Sequence, residues 1–310
     1  MAREAAQVAL AFTAFKGTLT PTQACAAARI RDAIRIPVAD GGDGTLDVLP
    51  GHVRRATVTG PFGKPVSARF KLDGRTAVIE MAEASGLRLT RERDPLRATT
   101  RGTGELILAA RRAGARRILL GVGGSATVDA GRGAMEVIDD ATDVVVLCDV
   151  RTTLLDAPRI FGPQKGATAA MMRVLEARMR ELPRRIWTLP GSGAAGGLAG
   201  GLASIGARLV AGSAYILREL SFRERTRRAS LVITGEGRFD RTSLAGKATG
   251  AVIAASRAPV VVICGTSELT ARQAGVREIV QLVDVDPDPL GHAARAIRAA
   301  VAQVVRRSSR

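Results

Sequence analysis

The chain has 310 residues, enough for two ordinary domains. Hydrophobic residues make up 46% and charged residues 24%, which excludes a disordered chain, and the apolar runs are far shorter than the roughly 20 residues of a membrane span. The formal charge of +17 is carried by 41 Arg and only five Lys, an excess that background composition explains as readily as a nucleic-acid partner does.

Along the chain, short runs rich in Val, Ile and Leu alternate with longer Ala-rich segments. Strands are predicted over 8–12, 34–39, 56–59, 68–72, 77–82, 117–122, 144–150, 186–189, 231–234, 260–264 and 279–283. Helices are predicted over 21–33, 103–113, 168–182, 198–210, 214–227, 244–256 and 293–306. Runs such as VVVLC and VVVIC are apolar throughout, as in strands buried on both faces of a parallel sheet. The first helix has a clear start, with Thr20 as cap, Pro21 at its first position and Gln23 completing a capping box. Strand–helix alternation over the whole length defines an α/β protein. From 56 to 81, strands follow one another across the turns GPFGKP and LDGR, so a second, mixed α/β domain is expected to begin near residue 60.

Cys25, Cys148 and Cys264 are few, odd in number and far apart, against a disulfide framework or a zinc site. No basic segment followed by an apolar stretch opens the chain, so the expected location is the cytoplasm.

Four glycine clusters sit where strands end or helices begin, positions whose free backbone N–H groups suit anions. ADGGDGT (39–45) joins Gly41 and Gly42 to two carboxylates, Asp40 and Asp43, which suit a Mg²⁺–phosphate site or a tight turn. GVGGSATVDAGRG (121–133) formally matches a dinucleotide pattern, yet carries more polar groups, Ser125, Thr127 and Asp129, than a pyrophosphate turn needs. GSGAAGGLAGG (191–201) reads equally as close helix packing. ITGEGRFDRTSLAGKATG (233–250) is not a Walker A loop, since Arg241 and Ala248 stand where Gly and Ser/Thr are required. It nonetheless gathers Gly235, Glu236, Gly237, Asp240 and Lys247, the parts that nucleotide phosphates require. Lys16, Lys165 and Lys247 each neighbour a glycine at a loop-to-helix position, where a compact ammonium serves as a phosphate ligand. His52 and His292 lie outside every cluster, and phosphoryl transfer, which rests on positioning and charge neutralisation, needs no histidine.

Seven segments in order, FKGTL, VADGGDGT, DPLRATTRGTGELI, GVGGSATVDAG, FGPQKGA, PGSGAAGGLAGGL and GEGRFDRTSLAGKA, resemble the bacterial glycerate kinase family over most of the chain. The resemblance implies a Rossmann-like domain, 1–60 and 225–310, interrupted by a mixed α/β domain at 61–224, with the active site in the cleft between them. It implies ATP- and Mg²⁺-dependent phosphorylation of D-glycerate or a similar hydroxy acid, at the 2-hydroxyl, and no membrane or specific nucleic-acid partner; a homodimer is compatible with it. On this reading Lys16, Asp40, Asp43 and Asp129 are catalytic, with Asp40 and Asp43 on the metal. Arg101, Ser125, Thr127, Asp149 and Lys165 bind the acid. Gly41, Gly42, Gly235, Glu236, Gly237, Asp240 and Lys247 bind the nucleotide.

The chain departs from the family pattern in several places. Thr13 replaces the acid of the usual Asp-Ser-Phe-Lys-Gly, the stretch between Gly133 and Val144 is several tens of residues shorter, RTTLLDAPRI replaces an Asn-Pro-Leu turn, and Val128 stands for the usual Asn. These departures motivate an alternative, a catalytically impaired paralogue that binds a nucleotide or a small hydroxy acid. The Arg-rich stretch 223–228 motivates nucleic-acid binding, against which aromatics are sparse at 3% and no nucleic-acid motif occurs. An NAD-dependent dehydrogenase would rest on the glycine patterns alone.

Overall fold

The computed structural model describes residues 7–15 and 17–308. They form two units. One comprises the chain up to Asp40 together with Ser213 onward, and the other is Gly41–Gly212.

The first unit is built on a parallel sheet of β1 (Gln7–Phe12), β2 (Ile34–Arg35), β9 (Ala229–Phe239), β10 (Val260–Ser267) and β11 (Glu278–Gln281), in the order β11-β10-β9-β1-β2. Alternate residues of the apolar strands enter two different cores, so both faces are buried. Leu10, Phe12, Ile233, Val261 and Ile263 pack with Ala24 and Cys25 of helix Pro21–Ala27 and with Ile297 and Val301 of helix Ala293–Ser308. Ala9, Ala11, Val232, Val260 and Val262 pack on the other face with Leu217, Phe222, Ala248 and Val252. The strand order reverses direction between β1 and β9. In open α/β sheets, the crevice beyond the strand ends at such a reversal is where ligands bind.

The second unit carries a sheet in chain order: β3 (His52–Thr59), β4 (Pro65–Asp73), β5 (Thr76–Glu80), β6 (Arg117–Gly121), β7 (Val144–Cys148) and β8 (Arg208–Ala211). β3 to β5 are antiparallel and β5 to β8 parallel, so the expected meander is present and continues into βα units. Its main core joins Ile79, Ile118, Leu120 and Val146 to Leu106, Ile107 and Ala110 of helix Arg101–Arg112. A smaller core under helix Ala169–Arg180 gathers Val128, Leu154, Leu175 and Met179.

The mixed α/β architecture matches the sequence reading. The units divide earlier in the chain than the expected 60/61 and 224/225. β3 pairs with β4 over eight residue pairs and stays with the second sheet, whereas Leu217 and Phe222 pack on the first. Locally, 186–189 is not a strand: helix Arg184–Trp187 occupies it, with Ile186 in the smaller core. The helix expected over 198–210 stops at Ser204, and residues 208–211 form β8 on the sheet edge. The helix expected over 214–227 is broken at Ser221, which takes a left-handed conformation with φ 52°. The capping box at Thr20 forms as predicted, Gln23 N donating to Thr20 Oγ1 at 3.3 Å and Thr20 N to Gln23 Oε1 at 2.9 Å.

No helix among the described residues is long and apolar enough to cross a membrane.

Candidate functional site

In the second unit, the parallel strands β5, β6 and β7 end at Glu80, Gly121 and Cys148, and the loops that follow meet. The GGDGT loop lies directly on the GVGGS loop. Val122 N donates to Gly41 O at 2.8 Å, and a Cβ on Gly123 would stand 2.5 Å from the Cα of Gly42. On its other side the second loop bonds to 85–87, through Leu87 N to Gly124 O and Ala126 N to Ser85 O, both 2.9 Å. Glycine is required at Gly41, with φ +97° and a virtual Cβ 2.4 Å from Leu147 O.

Lys165 is the centre of this cluster. It is 2% exposed, and its Nζ donates to Ser125 Oγ at 2.6 Å and to the Thr127 carbonyl at 2.8 Å. Burial lowers its pKa to about 7, opposed by the negative charges of Asp129 and Asp149. An ammonium has donors only, so Ser125 Oγ must accept, which leaves its own proton to be donated elsewhere. Lys165 has three N–H bonds, of which these contacts use two. Asp149 directly follows β7.

Asp129 is occupied differently. Its Oδ2 accepts from Thr100 N and Thr100 Oγ1, both at 2.8 Å, and from Gly133 N at 3.2 Å, while Oδ1 accepts from Gly131 N at 3.1 Å. A carboxylate with four donors ties its loop to the start of helix Arg101–Arg112. The Arg101 side chain is not brought into the cluster: it turns to Glu105 at 3.2 Å and Glu136 at 3.5 Å. Thr127 contributes its carbonyl, and its hydroxyl donates to Ala195 O at 3.4 Å.

Two carboxylates dominate the start of this unit. Asp43 Oδ1 accepts from Arg88 Nη2 at 3.3 Å. Glu80 is 5% exposed, accepts from Leu46 N at 2.8 Å, and has its pKa raised to about 7 by burial, with Asp43, Glu83 and Asp47 adding to the shift. Neither Glu80 nor Arg88 was among the sequence candidates, although a lone charge in the apolar run AVIEMA is a readable signal for Glu80.

In the first unit, the reversal between β1 and β9 brings Thr13 to Gly235-Glu236-Gly237, which lies inside β9 and not in a loop after residue 234 as the sequence suggested, with Thr13 N donating to Gly235 O at 3.2 Å. A Cβ on Gly235 would stand 1.7 Å from Ile263 O, so β9 can pack on β10 here only as glycine. Lys16 lies outside the described residues. Asp240 caps helix Arg241–Leu244: its Oδ1 accepts from Thr242 Oγ1 at 2.6 Å, Thr242 N at 2.8 Å and Ser243 N at 3.2 Å, and the Thr242 hydroxyl first among these holds its pKa low. Lys247 is the N-cap of helix Ala248–Ala255, and its charge acts on Glu236 and Asp240. Glu236 is largely buried, and its Oε1 has no hydrogen-bond partner among the described residues; nor has Thr249 Oγ1. Burial raises the Glu236 pKa, and the charge of Asp40 adds to the rise. Hydroxyls of Thr249 and Ser243 and the charge of Lys247 oppose it.

A divalent cation fits this donor set. No group of three or more His, Cys, Asp or Glu among the described residues is arranged to hold a metal. Mg²⁺ in nucleotide sites takes one or two carboxylates and completes its shell with phosphates and water, so an orphaned carboxylate oxygen beside a second carboxylate is a sufficient protein share.

Taken together, these features define an α/β protein whose parallel strands end in glycine-rich loops beside a buried cation, Lys165, and buried carboxylates, a class that binds small anionic ligands. The sequence model of the "Glycerate kinase family" matches residues 8–142 and 136–309, the two pieces meeting inside the stretch read as shortened. "Glycerate 2-kinase" of Escherichia coli K12 is 39% identical over 267 residues, covering 69% of this chain and 70% of that protein. "Glycerate kinase" of Bacillus subtilis 168 is 39% identical over 291 residues, covering 76% of each. A crystal structure assigned as glycerate kinase 2 from Salmonella typhimurium LT2 superposes with a TM-score of 0.82 at 30% identity, over 99% of both chains. The chain belongs to the glycerate kinase family.

Proposed function

We propose that this protein transfers the γ-phosphoryl group of ATP to the 2-hydroxyl of D-glycerate, with Mg²⁺. The observation that carries the reading is the buried Lys165, bonded to Ser125 and to the Thr127 carbonyl, with the charges of Asp129 and Asp149 acting on it. A fixed cation beside a serine that must donate suits a substrate carrying both a carboxylate and a hydroxyl. Lys165 and Ser125 orient the acid, with Thr127 and Asp149 beside them, while Asp129 keeps their loop in place. Gly235–Gly237 of β9, Lys247 and Lys16 receive the nucleotide phosphates, and Asp40 and Glu236 supply the carboxylates for the cation. When bound, Mg²⁺ neutralises charge on the phosphate oxygens. Asp43, held by Arg88, is the acceptor we assign to the substrate hydroxyl proton.

The test is ADP release from Mg-ATP and D-glycerate, with the product examined by phosphorus NMR. A phosphate on the secondary carbon is split into a doublet by one proton, and on the primary carbon into a triplet by two. A folded protein that releases no ADP would refute the proposal.

One observation favours a second reading, an impaired paralogue. Thr13 stands beside the Gly235 carbonyl where the family pattern has an acid. If the protein binds ATP but turns over slowly, Thr13→Asp should raise kcat, and an unchanged kcat would dismiss this explanation.

A further inference from the structure

The segment DPLRATTRGTGELI carries a motif, Arg101-Gly102-Thr103-Gly104, that the reading above leaves without a task. These residues form the first turn of helix Arg101–Arg112. Glycine on both sides of Thr103 lets this turn lie against its neighbours. A Cβ on Gly102 would collide with the Thr59 carbonyl, and one on Gly104 would stand 2.8 Å from Ala134 O. Thr103 itself is fully buried, and its hydroxyl shares a hydrogen bond of 2.9 Å with that of Ser85, which is also fully buried.

Ser85 leads to Ser125. Its carbonyl accepts from Ala126 N, and Leu87 N donates to Gly124 O, so Ser125 and Gly86 face each other in a short antiparallel bridge. This pairing sets the backbone from which the Ser125 hydroxyl meets Lys165 Nζ at 2.6 Å. Further along the same loop, Thr100 holds Asp129 through its N–H and its hydroxyl. One helix start therefore grips the loop twice, and the grip nearer Ser125 passes through a single pair of hydroxyls. Both are shut away from water, so removing one leaves the other buried and unsatisfied.

We propose that Thr103 is a positioning residue for the Lys165 cradle: through Ser85 it fixes the place of Ser125. Its effect on Lys165 is independent of what the cradle holds; its effect on an acid substrate rests on the kinase reading.

The test is competitive acetylation of the full chain with trace acetic anhydride and no ligand, read at the Lys165 and Lys71 peptides by mass spectrometry. Thr103→Val should raise Lys165 labelling by about threefold or more, as a loosened Ser125 releases its hold on Nζ. Ser125→Ala should do the same. Adding Thr103→Val to it should change labelling by less than about 1.5-fold, because residues acting through one chain of contacts are not additive. Thr103→Ser, which keeps the hydroxyl, should label as the parent does. Lys71, which donates to Leu49 O on the same sheet's antiparallel side, should not change, whereas general loosening would raise both. Where Thr103→Val does not fold, Ser85→Ala takes its place with the same expectations. Parent-like labelling in these variants, independent increments in the double variant, or a parallel rise at Lys71 overturns the proposal.

Kinetics measured beside it separate the two ideas. In Thr103→Val, KM for D-glycerate should rise by about threefold or more while KM for ATP stays within about twofold. A KM for glycerate that does not move, or an equal rise in both, likewise overturns the proposal. Coupled labelling with no ADP release from the parent keeps the positioning role and sinks the kinase. ADP release with uncoupled labelling does the reverse.

Discussion

Lys165 and Glu80 are buried groups pushed toward neutrality from opposite sides, and their effects on stability run in opposite directions. The folded-state pKa of Lys165 is about 7, against 10.5 for an exposed lysine. Between these values the unfolded chain binds more protons, so this residue makes stability rise with pH above about 7. Lys165→Met should remove that rise in thermal melts. It should also raise KM for the acid at neutral pH, and in the parent that KM should climb as pH passes 7 and the ammonium is lost. A KM flat from pH 6 to 9 would show that Lys165 does not meet the substrate carboxylate. The folded-state pKa of Glu80 is about 7, against 4.5. In that window the folded protein holds the extra proton, so stability falls as pH rises from 4.5 to 7. Glu80→Gln retains an acceptor for Leu46 N and should flatten the fall; melts that keep the parent's slope would contradict the assignment.

The elements were legible in the sequence where one physical signal dominated. Continuous apolar runs marked β7 and β10, and the Thr20–Gln23 pair marked the first helix start. The failures came where composition was ambiguous. WTLP has strand-like residues, yet Ile186 reaches its core as part of a short helix after Pro183. The edge strand Arg208–Ala211 was hidden at the end of an Ala/Gly-rich segment. At the candidate site, residues that belong to glycine loops were found, because loops advertise themselves in composition. Thr249, Glu80, Arg88 and Thr100 were missed because their roles depend on partners distant in sequence or on missing partners. Gly235, inside β9, shows how closely one such glycine is packed: its virtual Cβ stands 1.7 Å from Ile263 O. Gly235→Ala forces β9 and β10 apart and should cost about 3 kcal/mol, read as a lowered urea midpoint. A midpoint within error of the parent's would mean the strand ends separate freely.

For the whole molecule, a +17 charge bears on the encounter with anionic ligands more than on fold. On the proposed function both substrates, ATP and glycerate, are anions, so raising salt from about 0.02 to 0.3 M should raise both KM values and leave kcat nearly unchanged, since screening weakens encounter more than chemistry. KM values independent of salt would show that the surface charge is spent on local ion pairs such as Arg69–Glu83 and Arg111–Asp143.

The pairing of β1 with β9, Gln7 against Ala229 at one end and Phe12 against Gly235 at the other, sets an order on biosynthesis. The second unit is a continuous stretch and has all its strands once residue 212 has left the ribosome. The first unit lacks its central strand until residue 229 and beyond have been made. At about 5–20 residues per second, the amino-terminal segment waits on the order of ten to forty seconds with the β9 edge of its apolar strand β1 unpaired, only the short β2 being available on the other edge. During that interval Val8 to Phe12 is an exposed hydrophobic template. In the cell this segment is where a holding chaperone has most to protect, and the stretch at which slow translation is most costly lies in the second unit's codons.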